Sequence, residues 1–160
     1  MVPVLAREAG TLLRKHGLTV STAESCTGGR LGDLLTNVSG SSDYFKGGVI
    51  SYSNRAKVDL LKVRESSLVR KGAVSEEVAR QMAAGVRKAF HSDLGIGITG
   101  IAGPMGGSPR KPVGLVYICV GSDKGSLCTR NLFKGSRVKV KAQAVDKSLR
   151  MLIELVKKKT

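Results

Sequence analysis

The sequence predicts a three-layer α/β/α sandwich with a mixed, mostly parallel sheet of about five strands. Three observations carry this prediction. Helix-like and strand-like hydrophobic patterns alternate along most of the chain, which implies parallel strands covered on both faces. The 160 residues, 41% of them hydrophobic, suffice for one compact domain spanning residues 1–160 with a full core. Near the C-terminus two strand-like runs are joined by a short polar turn, which forces at least one antiparallel strand.

Residues 3–16 place Leu5, Ala9, Leu12 and Leu13 on one helical face, and Gly17 is a natural stop. "LTVSTAE" then reads as a strand. Helical spacing resumes from Thr27 to Val38 through Leu31, Leu34 and Leu35. "GGVISYS" is the second strand. Asn54 is a good N-cap for a short helix ending near Leu61. Ser75, followed by Glu76 and Glu77, opens a helix that runs to about His91. "DLGIGIT", residues 93–99, is the third strand, and a loop rich in Gly and Pro follows it. "LVYICVG" and "SLCTRNLF", separated by Ser122-Asp123-Lys124-Gly125, form the hairpin. In the last helix Val138, Ala142, Val145, Leu149, Leu152 and Val156 recur at steps of four and three.

Sites in such sheets gather beyond the carboxyl ends of the parallel strands. Three loops qualify, after Glu24, Ser53 and Thr99, and all three carry unusual residues. In "ESCTGGR", Gly28 and Gly29 leave backbone N–H groups bare at a helix start, a place that attracts an anion or a developing oxyanion. Ser25 just ahead of them could attack a carbonyl. Cys26 is a second candidate nucleophile, because a helix N-terminus lowers a thiol's pKa. The same residues also suit a plain capped turn. In "SYSNRAKVDLL", Lys57 falls in the first turn of a helix, the wrong end for a cation, and Arg55 is close. Both effects favour a free amine, which could take a serine's proton. An exposed lysine tolerated at little cost is the plainer reading. Tyr52 sits beside this group and could equally be ordinary strand packing. In "ITGIAGPMGGSPRKPVG", five glycines and three prolines between Thr99 and Gly114 make a stiff loop with bare backbone. Thr99 and Gly100 could offer it a hydroxyl and an N–H.

The net charge is +15, from 27 Lys+Arg against 12 Asp+Glu. That balance speeds encounter with anions without identifying one, and a solvated basic surface would carry it too. Aromatic residues are only 4%, so stacking platforms for nucleic acid are scarce and a nucleic-acid partner is not expected. No apolar run is long enough for a bilayer, and Arg7 and Glu8 come too early for a secretory signal. A cytoplasmic, membrane-free protein is the expectation. Cys26, Cys119 and Cys128 are odd in number with no pairing pattern, which argues for a reducing compartment rather than a disulfide framework. With only His16 and His91, no Cys/His spacing resembles a metal site.

Together, "TAESCTGG", "GGVISYSNRAKVDLL", "GAVSEEVARQMA" and "GITGIAGPMGGSPRKPVG" resemble the carboxy-terminal domain of competence/damage-inducible CinA proteins. The resemblance runs from about Leu5 to Val156 and looks like the stand-alone form, whose members act as nicotinamide-nucleotide amidohydrolases. It implies a three-layer fold and hydrolysis of nicotinamide mononucleotide to nicotinate mononucleotide and ammonia, with no metal or redox cofactor. It implies Ser25 as nucleophile, Lys57 as base, and Tyr52 and Thr99 in the same pocket. Thr27, Gly28, Gly29 and Gly100 are expected to contact substrate. Arg137 matches an arginine that usually follows Gly-Asp; here Ser136 replaces that Asp, which puts its local pairing in question. Met105 stands where an acid or Gly is common, and Arg110 where Glu is. A homo-oligomer, dimer or trimer, is the expected assembly. The rival readings are a non-catalytic nucleotide- or nucleic-acid-binding module, and a related amidohydrolase that uses Cys26 or another substrate.

Overall fold

The computed structural model describes residues 3–158. Its elements are α1 (Val4–Lys15), β1 (Val20–Glu24), α2 (Arg30–Thr36), a 3-10 turn (Ser41–Asp43), β2 (Phe45–Ile50), α3 (Asn54–Leu61), α4 (Glu65–Lys71), α5 (Glu76–Ala89), β3 (Leu94–Gly100), β4 (Leu115–Ser122), β5 (Gly125–Leu132) and α6 (Arg137–Lys158). The five strands form one sheet in the order β2-β1-β3-β4-β5. β1 pairs in parallel with β2 and β3, while β4 runs antiparallel to both β3 and β5. Four strands therefore point one way, and the expected mixed α/β fold is the one observed.

Strand β3 shows how the layers are specified. Leu94, Ile96 and Ile98 point into the larger core, with Leu13, Leu31, Leu149 and Leu152 from α1, α2 and α6. The alternate positions, Gly95 and Gly97, face α5, and a Cβ there would run into the carbonyls of Ala83 and Ala79. So one face of the strand is filled by side chains and the other by helix backbone. The second core joins Ala23 of β1 to Leu61, Val63, Val78, Met82 and Val86 around α3 and α5.

Several details depart from the sequence reading. The second strand is Phe45–Ile50, so it starts and stops earlier than "GGVISYS". The helix expected from Thr27 starts at Arg30, because Gly28 and Gly29 adopt positive φ (63° and 95°) in a turn. Ser53, not Asn54, caps α3: its extended backbone aims Oγ at the Ala56 N–H, 3.1 Å away. Ser75 does cap α5, accepting from Val78 N–H. Helix α4 was not expected. It is tied to the next helix, since Glu77 of α5 accepts from Ser67 Oγ (2.6 Å) and Arg70 (2.7 Å). In α6 Val138 is 63% exposed, and the buried stripe runs instead through Val140, Ala144, Val145, Leu149, Leu152 and Val156.

The cysteine expectation is corrected. Cys119 and Cys128 are opposite each other in the β4–β5 ladder, 4.1 Å apart at Cα, and are disulfide-bonded. Cys26 is the free thiol among the described residues. Among those residues no helix is long and apolar enough to cross a membrane, and no group of His, Cys, Asp and Glu is arranged to hold a metal.

Candidate active site

β1 lies between its two parallel neighbours, and the chain that leaves it is pinned on both sides. Glu24 C=O accepts from Ser51 N–H at 2.8 Å, and Ser25 N–H donates to Ile98 C=O at 3.0 Å. The loops after all three parallel strands thus converge, as the sheet geometry requires. They enclose a pocket of about 280 Å³. Ser25, Cys26, Tyr52, Lys57, Thr99, Gly100, Met105 and Arg137 are among its lining residues.

Lys57 is the most unusual of these. It is 1% exposed and has no carboxylate partner among the described residues; its Nζ lies 2.7 Å from Ser51 O, 3.5 Å from Tyr52 O and 3.0 Å from Ser25 Oγ. Burial pushes the amine below lysine's ordinary 10.5. A neutral amine has two N–H donors and one lone pair. The two carbonyls take the donors, and the lone pair is left for the Ser25 hydroxyl. Arg55 plays no part in this, contrary to expectation: it is largely exposed and paired with Asp59 at 2.7 Å. Ser51 Oγ, next to this group in sequence, is buried without a partner.

The helix start after Ser25 does not offer the anion cradle that the two glycines suggested. Glu24 fills it. One carboxylate oxygen accepts from Thr27 Oγ1 (2.5 Å), Gly29 N–H (3.2 Å) and Leu31 N–H (3.1 Å), and the other from Gly32 N–H (2.9 Å). Gly28 N–H turns back to Ser25 C=O at 3.1 Å. Thr27, Gly28 and Gly29 accordingly shape the turn from behind and do not line the pocket. The sequence carried a signal for this that was missed: an acid at the strand end, three residues before Thr27, in reach of a helix start that favours negative charge.

Cys26 is buried, and its thiol is pushed up to about 11, chiefly by desolvation. A thiol that stays protonated at neutral pH is a poor nucleophile. Thr99 Oγ1 donates to Ala73 C=O at 2.9 Å, which ties the α4–α5 connection to the pocket wall. Gly100 cannot be enlarged, because a Cβ would meet Leu115 O at 2.6 Å. At the rim Arg137 spans the opening, donating to Gly103 O (2.8 Å) and Tyr52 OH (2.9 Å). Both acceptors are neutral, so neither of them offsets the guanidinium's positive charge. Ser136 caps α6: its C=O accepts from Val140 N–H at 2.9 Å, and its Oγ from Lys139 N–H at 3.4 Å. Met105, 84% exposed, forms part of the lip.

Fold and pocket together define an α/β sandwich protein with a buried serine–lysine pair at the carboxyl end of its parallel strands. Comparison with known proteins narrows this class. The chain belongs to the family of CinA C-terminal domains, whose model matches residues 3–156. It is 52% identical over 143 residues to a competence-damage inducible protein of Moorella thermoacetica, covering 89% of this chain and 34% of that one. A CinA-like protein of Acaryochloris marina is 62% identical over 117 residues, covering 73% of this chain and 28% of that one. The chain thus spans about a third of the length of the curated relatives it matches. Among solved structures, the competence/damage inducible protein CihA of Agrobacterium tumefaciens superposes with a TM-score of 0.92 at 41% identity, covering 94% of this chain and 93% of that one. A CinA superfamily protein of Escherichia coli gives 0.93 at 33% identity, covering 97% and 90%.

Proposed function

We propose that this protein is an amidohydrolase that converts nicotinamide mononucleotide to nicotinate mononucleotide and ammonia, with Ser25 as nucleophile and Lys57 as its base. The observation that carries this reading is the 3.0 Å contact between Ser25 Oγ and a buried Lys57 whose other two contacts are carbonyls. A serine is a weak nucleophile until a neighbouring base takes its proton. In the first step Ser25 Oγ attacks the carboxamide carbon and its proton passes to Lys57 Nζ. The Lys57 ammonium then protonates the leaving nitrogen, and ammonia departs from an acyl-enzyme ester. Water attacks the ester, again losing its proton to Lys57, which returns it to Ser25 Oγ as the acid is released. With the helix-start donors held by Glu24, the first amide after the nucleophile, Cys26 N–H, is the candidate to meet the oxyanion.

A 280 Å³ pocket lies just below the range of about 300–1,000 Å³ for small-molecule sites. It suits the amide-bearing ring and leaves the phosphate at the rim, where Arg137 offers a planar, uncompensated cation. The test is ammonia release from nicotinamide mononucleotide. Wild-type protein should turn it over, and Ser25→Ala should lose activity by several orders of magnitude. Turnover that survives Ser25→Ala but not Cys26→Ala would move the nucleophile to Cys26. Salt-sensitive DNA binding with no ammonia release would favour a nucleic-acid-binding role instead.

A further inference from the structure

Glu24 is 1% exposed, carries a formal charge, and has no cation among its hydrogen-bond partners. Burying a carboxylate is costly unless it is fully hydrogen-bonded. Here four donors surround it, and the positive end of α2 opposes its charge. The chain leaves β1 at Ser25, makes a turn closed by the Gly28 N–H to Ser25 C=O bond, and passes through two consecutive glycines at positive φ before α2 begins. That excursion is intrinsically loose, because glycine has the largest backbone entropy to lose. Glu24 reaches across its base. It holds the hydroxyl of Thr27 and the amides of Gly29, Leu31 and Gly32, while its own backbone carbonyl is fixed to Ser51.

Side chains alternate along a strand. Thr22 and Glu24 face Gly32 of α2, whereas Ala23 packs in the α3–α5 core and Ser25 meets Lys57. We infer that Glu24 is a positioning residue, which clamps the turn after β1 from the α2 side so that Ser25 Oγ is held against Lys57 on the other. It does not touch the reacting atoms. This inference rests on the serine–lysine reading but not on the identity of the substrate.

The test uses Glu24→Gln and Thr27→Val. Gln keeps the shape and one acceptor oxygen but removes the charge, and it turns an N–H₂ toward one of the amide donors. Val keeps the branched shape of Thr27 and removes one donor. Ser25 reactivity is measured as the rate of labelling by a fluorophosphonate, located by mass spectrometry, beside kcat and KM for nicotinamide mononucleotide. Misplacing a reacting group by about 1 Å costs about 100-fold. Glu24→Gln should therefore slow Ser25 labelling by about 10- to 100-fold, and Thr27→Val should slow it in the same direction. If nicotinamide mononucleotide is turned over, kcat should fall in parallel with KM within about twofold, and the rising limb of the pH profile, set by Lys57, should not move. A merely structural role would lower Tm and leave labelling at 20 °C unchanged. Wild-type labelling rates in both folded variants would overturn the inference, as would a wild-type Ser25 inert to the probe. Slowed labelling in a protein that does not turn over nicotinamide mononucleotide would uphold the clamp and refute only the substrate.

Discussion

Replacing Lys57 separates a proton acceptor from an electrostatic clamp. Its Nζ contacts two carbonyls and Ser25 Oγ, and burial holds it below the ordinary lysine value. Lys57→Arg keeps a positive charge, but a guanidinium has no acceptor and does not deprotonate in proteins. Lys57→Met keeps the stem and removes the base. A positioned general base contributes about 10²–10⁴ in rate, so both variants should lose about 3–5 kcal/mol of transition-state stabilisation. The folding costs differ. Arginine would bring five donors to a place with two carbonyls and one hydroxyl, and each buried unmade hydrogen bond costs about 1–3 kcal/mol. Methionine leaves two carbonyls short of a donor but fills the space, which makes it the better folded control. The assay is single-turnover ammonia release, so that product release does not mask the chemistry. In wild type the amine is protonated below its folded pKa and has no lone pair. The rate should therefore climb with pH, with a midpoint below 10.5. The residual rate of Lys57→Met should show no such rise. A Lys57→Arg rate within tenfold of wild type, or a wild-type single-turnover rate flat from about pH 6 to 10, would refute the assignment of Lys57 as base.

Other consequences are as specific. Because the Cys26 thiol is pushed up to about 11, iodoacetamide should modify it at least about 100-fold more slowly at neutral pH than an ordinary exposed thiol, as read by mass spectrometry. Arg137→Ala should raise KM for nicotinamide mononucleotide more than for nicotinamide riboside, which lacks the phosphate; equal losses would mean that Arg137 serves only as the tie between Gly103 and Tyr52. Replacing Cys119 and Cys128 together by serine opens a loop of sequence separation 9, which loop-closure entropy values at about 2.6 kcal/mol at most, since the hairpin already holds the strands together. Thermal unfolding with and without reductant should show a drop of up to about 10 °C in wild type and none in the double variant.

Much of this protein was decided by local sequence. Periodicity alone separated the strands from most of the helices, since "LGIGIT" alternates at period two and the run through Val145 to Val156 recurs at helical spacing. The order of elements then placed the loops after β1, β2 and β3 at one end of the sheet, and the site with them. The disulfide was not read: the odd cysteine count argued against one, whereas the β4–β5 register, with Ser122 opposite Gly125, sets Cys119 opposite Cys128. What the sequence could not decide were the quantities that depend on several distant segments at once. Helix α4 is tied to α5 by Glu77 and packs Leu68 on the second core. Lys57 is held below the ordinary lysine value because β1, β2 and α3 together bury it, not because of Arg55 beside it in sequence. The two glycines looked like a cradle for an anion, yet Gly29 N–H is taken by the protein's own Glu24 and Gly28 N–H by Ser25 C=O. Each of these follows from burial and competition for hydrogen bonds, which are properties of the packed molecule and are not carried by any short stretch of chain.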